Sequence, residues 1–273
     1  MRLLSRLKLP ETAAPPEWER LDEHLVSLVA VGSFEAEQYR VLRHIVEQFY
    51  KDADLRVLGL TSATVGDGKT TTALNLAGAL AQASDARVLL IDGDIRRGLV
   101  RERLGLHDTS AGLAEAILDA NIPLASVARH CSPFNLWVLP TRPGAPAPYE
   151  LLKSPRFGEL IQEARQQYDY VVVDAPPLIP VPDCRVIAKH VDGFLMIVGA
   201  HKTPRRLVEE ALDILDPAKV LGLVFNGDSR PLAGYYSYSA YRPYIAEPSV
   251  NGHSWSWRTA LGRLVGAGGS SEA

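Results

Sequence analysis

A chain of 273 residues, 47% apolar and 22% charged, can build one large α/β body with a buried core or two small ones. A net charge of -3 argues against general nucleic-acid binding as the main activity, because phosphate backbones demand clustered positive charge. Cys131 and Cys184 lack metal-ligand spacing and read as thiols in a reducing cytoplasm, and no apolar run approaches the ~20 residues that cross a bilayer.

In chain order, the opening MRLLSRLKLP lacks the apolar core and cleavage site of a signal peptide, and residues 1–16 read as a leader ending in ETAAPP. Residues 17–50 carry a helical pattern broken at VGS, with Ser33 as the expected N-cap of the second helix. Strands are expected at 55–62, 86–92, 135–140, 169–175, 193–200 and 219–226. Helical stretches at 70–83, 149–167, 183–190 and 204–215 separate several of them. Short, nearly all-apolar strands suit a sheet buried on both faces, and the alternation predicts a doubly wound, mostly parallel α/β sandwich. The expected organisation is a leader and short helix over 1–32, a main domain over 33–230 and a tyrosine-rich tail over 231–273.

The stretch SATVGDGKTTTALNLA follows a strand and opens a helix. Gly66 and Gly68 permit a tight loop whose backbone N–H groups, with those of Asp67 and Thr71 nearby, can surround phosphate oxygens. Lys69 would reach the β- and γ-phosphates and the Thr70 hydroxyl would hold Mg²⁺. The strict G-x-x-x-x-G-K-[ST] pattern is one residue short, because Ala63 stands at its first glycine. In VLLIDGDIRRG, Asp92 and Asp94 are two residues apart at a strand end, where carboxylates face the ligand crevice of a parallel sheet. They could hold Mg²⁺ and accept a hydroxyl proton, or merely pair with Arg96 and Arg97. YDYVVVDAPP runs an apolar strand into Asp174, the arrangement of a metal-directed carboxylate at a strand tip. Each acidic motif is weak alone; the three in this order point to a Mg-nucleotide.

These three motifs resemble those of the bacterial tyrosine kinases, in a P-loop NTPase fold, and the resemblance runs over roughly residues 33–244. Glu37, Arg40 and Arg43 match the family's E-x-x-R-x-x-R element, which implies homo-oligomerisation through the 33–50 helix. RPGAPAPYELLKS (142–154) is similar to a family segment that ends in P-x-E-L-L-x-S, and Asn226 matches a position where relatives contact adenine. Tyr235, Tyr236, Tyr238, Tyr241 and Tyr244 resemble the family's autophosphorylation cluster. The resemblance implies ATP and Mg²⁺ as ligands, with Lys69, Asp92, Asp94 and Asp174 catalytic and Asp92 the general base. It implies phosphorylation in trans, control of exopolysaccharide polymerisation and export, and a cognate tyrosine phosphatase. It also implies a cytoplasmic protein recruited to the membrane by a polysaccharide co-polymerase acting in trans.

There are departures. Gly98 stands where the family has proline, and residues follow the tyrosine cluster, including Trp255 and Trp257. A partition or placement ATPase is the alternative enzyme, but its signature lysine is replaced by Thr64. A non-catalytic nucleotide-gated adaptor of an export complex is the alternative outside enzymes.

Overall fold

The computed structural model describes residues 21–83, 85–106, 110–132 and 134–228. In order these form α1 (Val26–Val29), α2 (Phe34–Asp52), β1 (Val57–Ser62), α3 (Lys69–Leu80), β2 (Val88–Asp92), α4 (Leu99–Arg103), α5 (Leu113–Leu118), α6 (Leu124–Val127) and β3 (Arg129–His130). There follow β4 (Leu136–Leu139), α7 (Pro148–Lys153), α8 (Pro155–Gln167), β5 (Tyr170–Asp174), α9 (Asp183–Ile187), β6 (Gly193–Gly199), α10 (Arg205–Leu212), a 3₁₀ turn (Pro217–Lys219) and β7 (Val220–Asn226).

The strands make one sheet in the order β3-β4-β2-β5-β1-β6-β7, parallel throughout except for β3 against β4. Its two faces bury separate cores. Leu89, Ile91, Val171 and Val173 point to the face covered by α5 and α7–α10, while Val88, Leu90 and Val172 point to the face covered by α1–α4. This is the period-2 alternation of strands with no solvent face, so uniformly apolar runs are what the chain needs there. All six expected strands are present within two residues of their expected limits; the short antiparallel β3 was not foreseen.

Ser33 caps α2 as expected, its Oγ accepting from the Ala36 N–H at 3.1 Å. The single helix expected over 149–167 is corrected to α7 and α8. Pro155 disfavours helical backbone at Ser154, whose φ/ψ of -61°/140° is extended, and the Ser154 hydroxyl then caps α8 by accepting from Arg156 N–H. The short helices α4, α5 and α6 have too few turns to show periodicity and were not foreseen.

The short helix expected in the leader is α1, and it belongs to the body. Leu25 and Leu28 are buried in the core under α3, and Ser27 N–H donates to Asn75 Oδ1 at 2.9 Å. Residues 25–28 thus pack against α3, ahead of the expected start of the main domain at residue 33. The chain divides after Arg230 into two units, and the described residues lie in the first. The tyrosine cluster at 235–244 and the rest of the expected tail lie outside the described residues.

Candidate nucleotide and phosphoryl-transfer site

β1, β2, β5, β6 and β7 are parallel, so the loops after them meet at one edge of the sheet. The loop 63–68 leaves β1 there and feeds α3 at Lys69. Gly66 and Gly68 have φ of +86° and +92°, backbone that a side chain makes costly. Their carbonyl neighbours are held from outside: Lys202 Nζ donates to the Gly66 carbonyl at 2.7 Å and Asn226 Nδ2 to the Asp67 carbonyl at 3.0 Å.

The Asp67 side chain is part of the loop's frame and does not face the concavity. It is buried, and its carboxylate accepts from Thr64 N–H at 3.1 Å and from Thr203 Oγ1 at 2.7 Å. The group expected to meet a phosphate is the Asp67 backbone N–H, which these side-chain bonds leave untouched. Lys69 and Thr70 are buried at the first turn of α3, and Thr71 follows, its carbonyl accepting from Asn75.

Asp92 and Asp174 are register partners at the ends of neighbouring parallel strands, which sets their Cα atoms ~4.8 Å apart. Asp94 follows in a turn closed by Arg97 and Gly98 N–H groups on its carbonyl. Lys69 Nζ lies 2.8 Å from Asp94 Oδ2 and 3.7 Å from Asp174 Oδ1. Asp92 Oδ2 accepts from Val100 N–H at 3.3 Å, near the start of α4, while Asp92 Oδ1 and both Asp174 oxygens have no hydrogen-bond partner. Burial pushes the Asp92 carboxyl well above its ordinary pKa, and the negative charges of Asp174 and Asp94 add to this. Burial also raises Asp174, against the pull of Lys69. For Lys69, burial is outweighed by Asp174 and Asp94, and its pKa is raised.

Three buried carboxylates against one ammonium, with orphaned oxygens on two of them, fit a divalent cation. Among the described residues no group of three acidic, histidine or cysteine side chains forms a ready cage. Mg²⁺ in general needs no such cage, since it keeps several waters and binds through few carboxylates plus substrate phosphates.

Sequence reasoning missed several residues at this edge. Asp183, buried at the start of α9, takes the Arg96 guanidinium in a two-point contact at 3.1 and 3.2 Å and ties the loop after β2 to α9. Lys202 and Thr203 follow β6. The available signal was their place just after a parallel strand's carboxyl end, where ligand crevices lie. Glu37, Arg40 and Arg43 are on α2, with partners inside the subunit. Arg40 bonds Glu37 and the Val31 carbonyl; Arg43 bonds Glu47 at 2.7 Å and the Ala79 carbonyl at 2.9 Å.

Residues 56–188 match the family model described as an AAA domain. The chain is 32% identical over 221 residues to the tyrosine-protein kinase YwqD of Bacillus subtilis, covering 80% of this chain and 92% of that one. It is 37% identical over 213 residues to the succinoglycan biosynthesis transport protein ExoP of Rhizobium meliloti; there the match takes in 74% of this chain but spans only 26% of the longer relative. The kinase domain of the Escherichia coli tyrosine kinase ETK superposes with a TM-score of 0.70 at 28% identity, over 86% of this chain and 89% of that one.

Proposed function

The chain belongs to the bacterial tyrosine kinases, with a P-loop NTPase fold, and from that premise we propose that it transfers the γ-phosphoryl group of ATP to tyrosines of its own C-terminal cluster, in trans. The observation that carries this reading is the Lys69–Asp94–Asp174 cluster beside the glycine loop. The sheet order supports one direction for a bound nucleotide. The acids stand at or just after the ends of β2 and β5, on one side of the loop, and Lys202 and Asn226 at or just after the ends of β6 and β7, on the other. This supports a nucleotide laid with its γ-phosphate toward the acids and its nucleoside toward Asn226, where the resemblance expects the adenine contact.

In the transfer, a tyrosine hydroxyl of one subunit attacks the γ-phosphorus on another, the bond to the β-phosphate oxygen breaks, and ADP leaves. The phenolic proton passes to Asp92 Oδ1, an oxygen with no other partner. The loop amides and Lys69 hold the phosphates and offset their charge; positioning and electrostatics supply most of the rate, as in phosphoryl transfer generally. Mg²⁺, held by Thr70, Asp94 and Asp174 with Asp92 close by, would supply further charge neutralisation at the phosphates. The tyrosines Tyr235, Tyr236, Tyr238, Tyr241 and Tyr244 are the proposed acceptors.

The likeness to ExoP supports a place in exopolysaccharide polymerisation or export. Among the described residues no helix is long and apolar enough to cross a membrane. The reading assigns recruitment to the cytoplasmic face by a membrane co-polymerase, as the resemblance to the family implies, with a cognate phosphatase resetting the tail. Self-association is assigned to α2, including Glu37, Arg40 and Arg43.

The test is incubation with Mg²⁺ and γ-labelled ATP, with mass spectrometry of residues 227–258. Label on the clustered tyrosines, absent in Lys69→Met and in the five-fold Tyr→Phe variant, is the expected result. Mixing these two variants tests the trans route: each is silent alone, and together they should label the tail of the Lys69→Met chain. ATP hydrolysis with no tyrosine label would instead favour a placement ATPase.

A further inference from the structure

Lys202 lies outside every motif read from the sequence, yet it stands directly on the glycine loop. Its Nζ donates to the Gly66 carbonyl at 2.7 Å, and the next carbonyl along the chain, that of Asp67, accepts from Asn226 Nδ2 at 3.0 Å. The glycines make room for both contacts. A Cβ at Gly66 would fall 2.9 Å from Lys202 Nζ, and one at Gly68 would fall 1.9 Å from Asn226 Nδ2.

A planar trans peptide points its C=O and the following N–H in opposite directions. Two consecutive carbonyls held outward therefore turn two consecutive N–H groups, those of Asp67 and Gly68, toward the inside of the loop. Successive inward amides of this kind are an anion-binding nest. Thr203, next to Lys202, adds a further tie through its 2.7 Å bond to Asp67 Oδ1, and its hydroxyl accepts from Gly199 N–H at 3.1 Å. The turn after β6 thus reaches the loop through two adjacent side chains. Free carbonyls would leave each peptide able to rotate and would lose the inward amide.

Resting on the nucleotide-binding reading above, we propose that Lys202 is a positioning residue for phosphate binding: its ammonium fixes the Gly66 peptide so that the Asp67 N–H faces the phosphates. It acts through the loop and not on the nucleoside, so its effect should not depend on whether a base is present.

The experiment measures binding of Mg-ADP and of magnesium tripolyphosphate, which has no nucleoside, to the full chain. In Lys202→Met both affinities should fall by a similar factor, about tenfold for one charge-assisted hydrogen bond on an exposed side chain. Lys202→Arg, which keeps a donor, should recover most of the loss, and the ligand-free thermal midpoint should stay that of the wild type. Unchanged affinity for both ligands overturns the proposal. So does a loss confined to ADP, which would make Lys202 a nucleoside contact. A wild-type chain that binds neither ligand sinks the nucleotide reading itself, and this inference with it.

Discussion

The Lys69 ammonium and the Asp94 carboxylate meet at 2.8 Å with both side chains almost wholly buried, and Asp174 stands within 3.7 Å of the same nitrogen. Among the described residues the lysine is thus the one cation paired with both acids. Removing it does two separable things. In Lys69→Met, phosphoryl transfer should fall by about 10²–10³-fold or more, the loss typical of one preorganised charge-stabilising donor. Ligand-free stability should also fall, by about 3–5 kcal/mol, because buried carboxylates are left without a counter-charge. Magnesium should raise the melting temperature of the variant more than that of the wild type. Equal shifts in thermal scans with and without Mg²⁺ would mean that the ion does not bind among these acids.

How far the sequence spoke for this site depends on the kind of information each residue carries. β1, β2, β5 and β6 were legible because a strand buried on both faces must be apolar at every position, which leaves a plain mark. The motif acids were legible as strand-end carboxylates. Their mutual geometry was not, since the Asp92–Asp174 pairing exists only once β2 and β5 are neighbours, and strand order is not written in either segment. Lys202 and Thr203 looked like any polar turn. Asp183 looked like any acid at a helix start, and its burial depends on the Arg96 guanidinium reaching it from a distant loop. The break at Ser154 was the opposite case: Pro155 marks it in the sequence, and the apolar periodicity on either side conceals it.

Gly68 should tolerate no side chain. Its φ of +92° strains any L-residue, by about 1–2 kcal/mol, and a Cβ there collides with the Asn226 amide. Gly68→Ala should therefore weaken Mg-ADP binding and lower stability together. Shortening Asn226 removes the collision and leaves the strain, so Gly68→Ala with Asn226→Gly should recover part of the stability loss. Calorimetry of the two variants measures this; a double variant no more stable than Gly68→Ala would mean the collision is relieved elsewhere.

Acid should loosen the N-terminal segment through Asp22. Burial pushes this carboxyl up, but the His24 N–H and ring and the Arg103 guanidinium outweigh it and hold its pKa at about 2, against 3.8 ordinarily. A depressed carboxylate stabilises the fold fully above its unfolded pKa, and the contribution is lost as pH falls through the folded value. Asp22→Asn should therefore be less stable than the wild type at neutral pH. The gap should close between about pH 4 and pH 2. Equilibrium unfolding of both proteins across that range gives the curve, and a gap independent of pH would show that the charge is not what Asp22 contributes.

On α2, the arginines and the exposed apolar side chains should separate folding from assembly. Arg43 caps the last turn of α3 through the Ala79 carbonyl, so Arg43→Ala should cost about 1–2 kcal/mol of stability whatever its effect on oligomers. Val41 and Ile45 are one helical turn apart, 57% and 45% exposed, and contribute little to the fold. If α2 is the surface through which copies associate, Val41→Ser with Ile45→Ser should leave the melting temperature of the isolated chain nearly unchanged while shifting it toward monomer. Because the proposed transfer runs between subunits, tail labelling should then become steeply dependent on protein concentration. Sedimentation together with labelling at several concentrations decides the matter: a double variant that assembles and labels like the wild type places the contact on another surface.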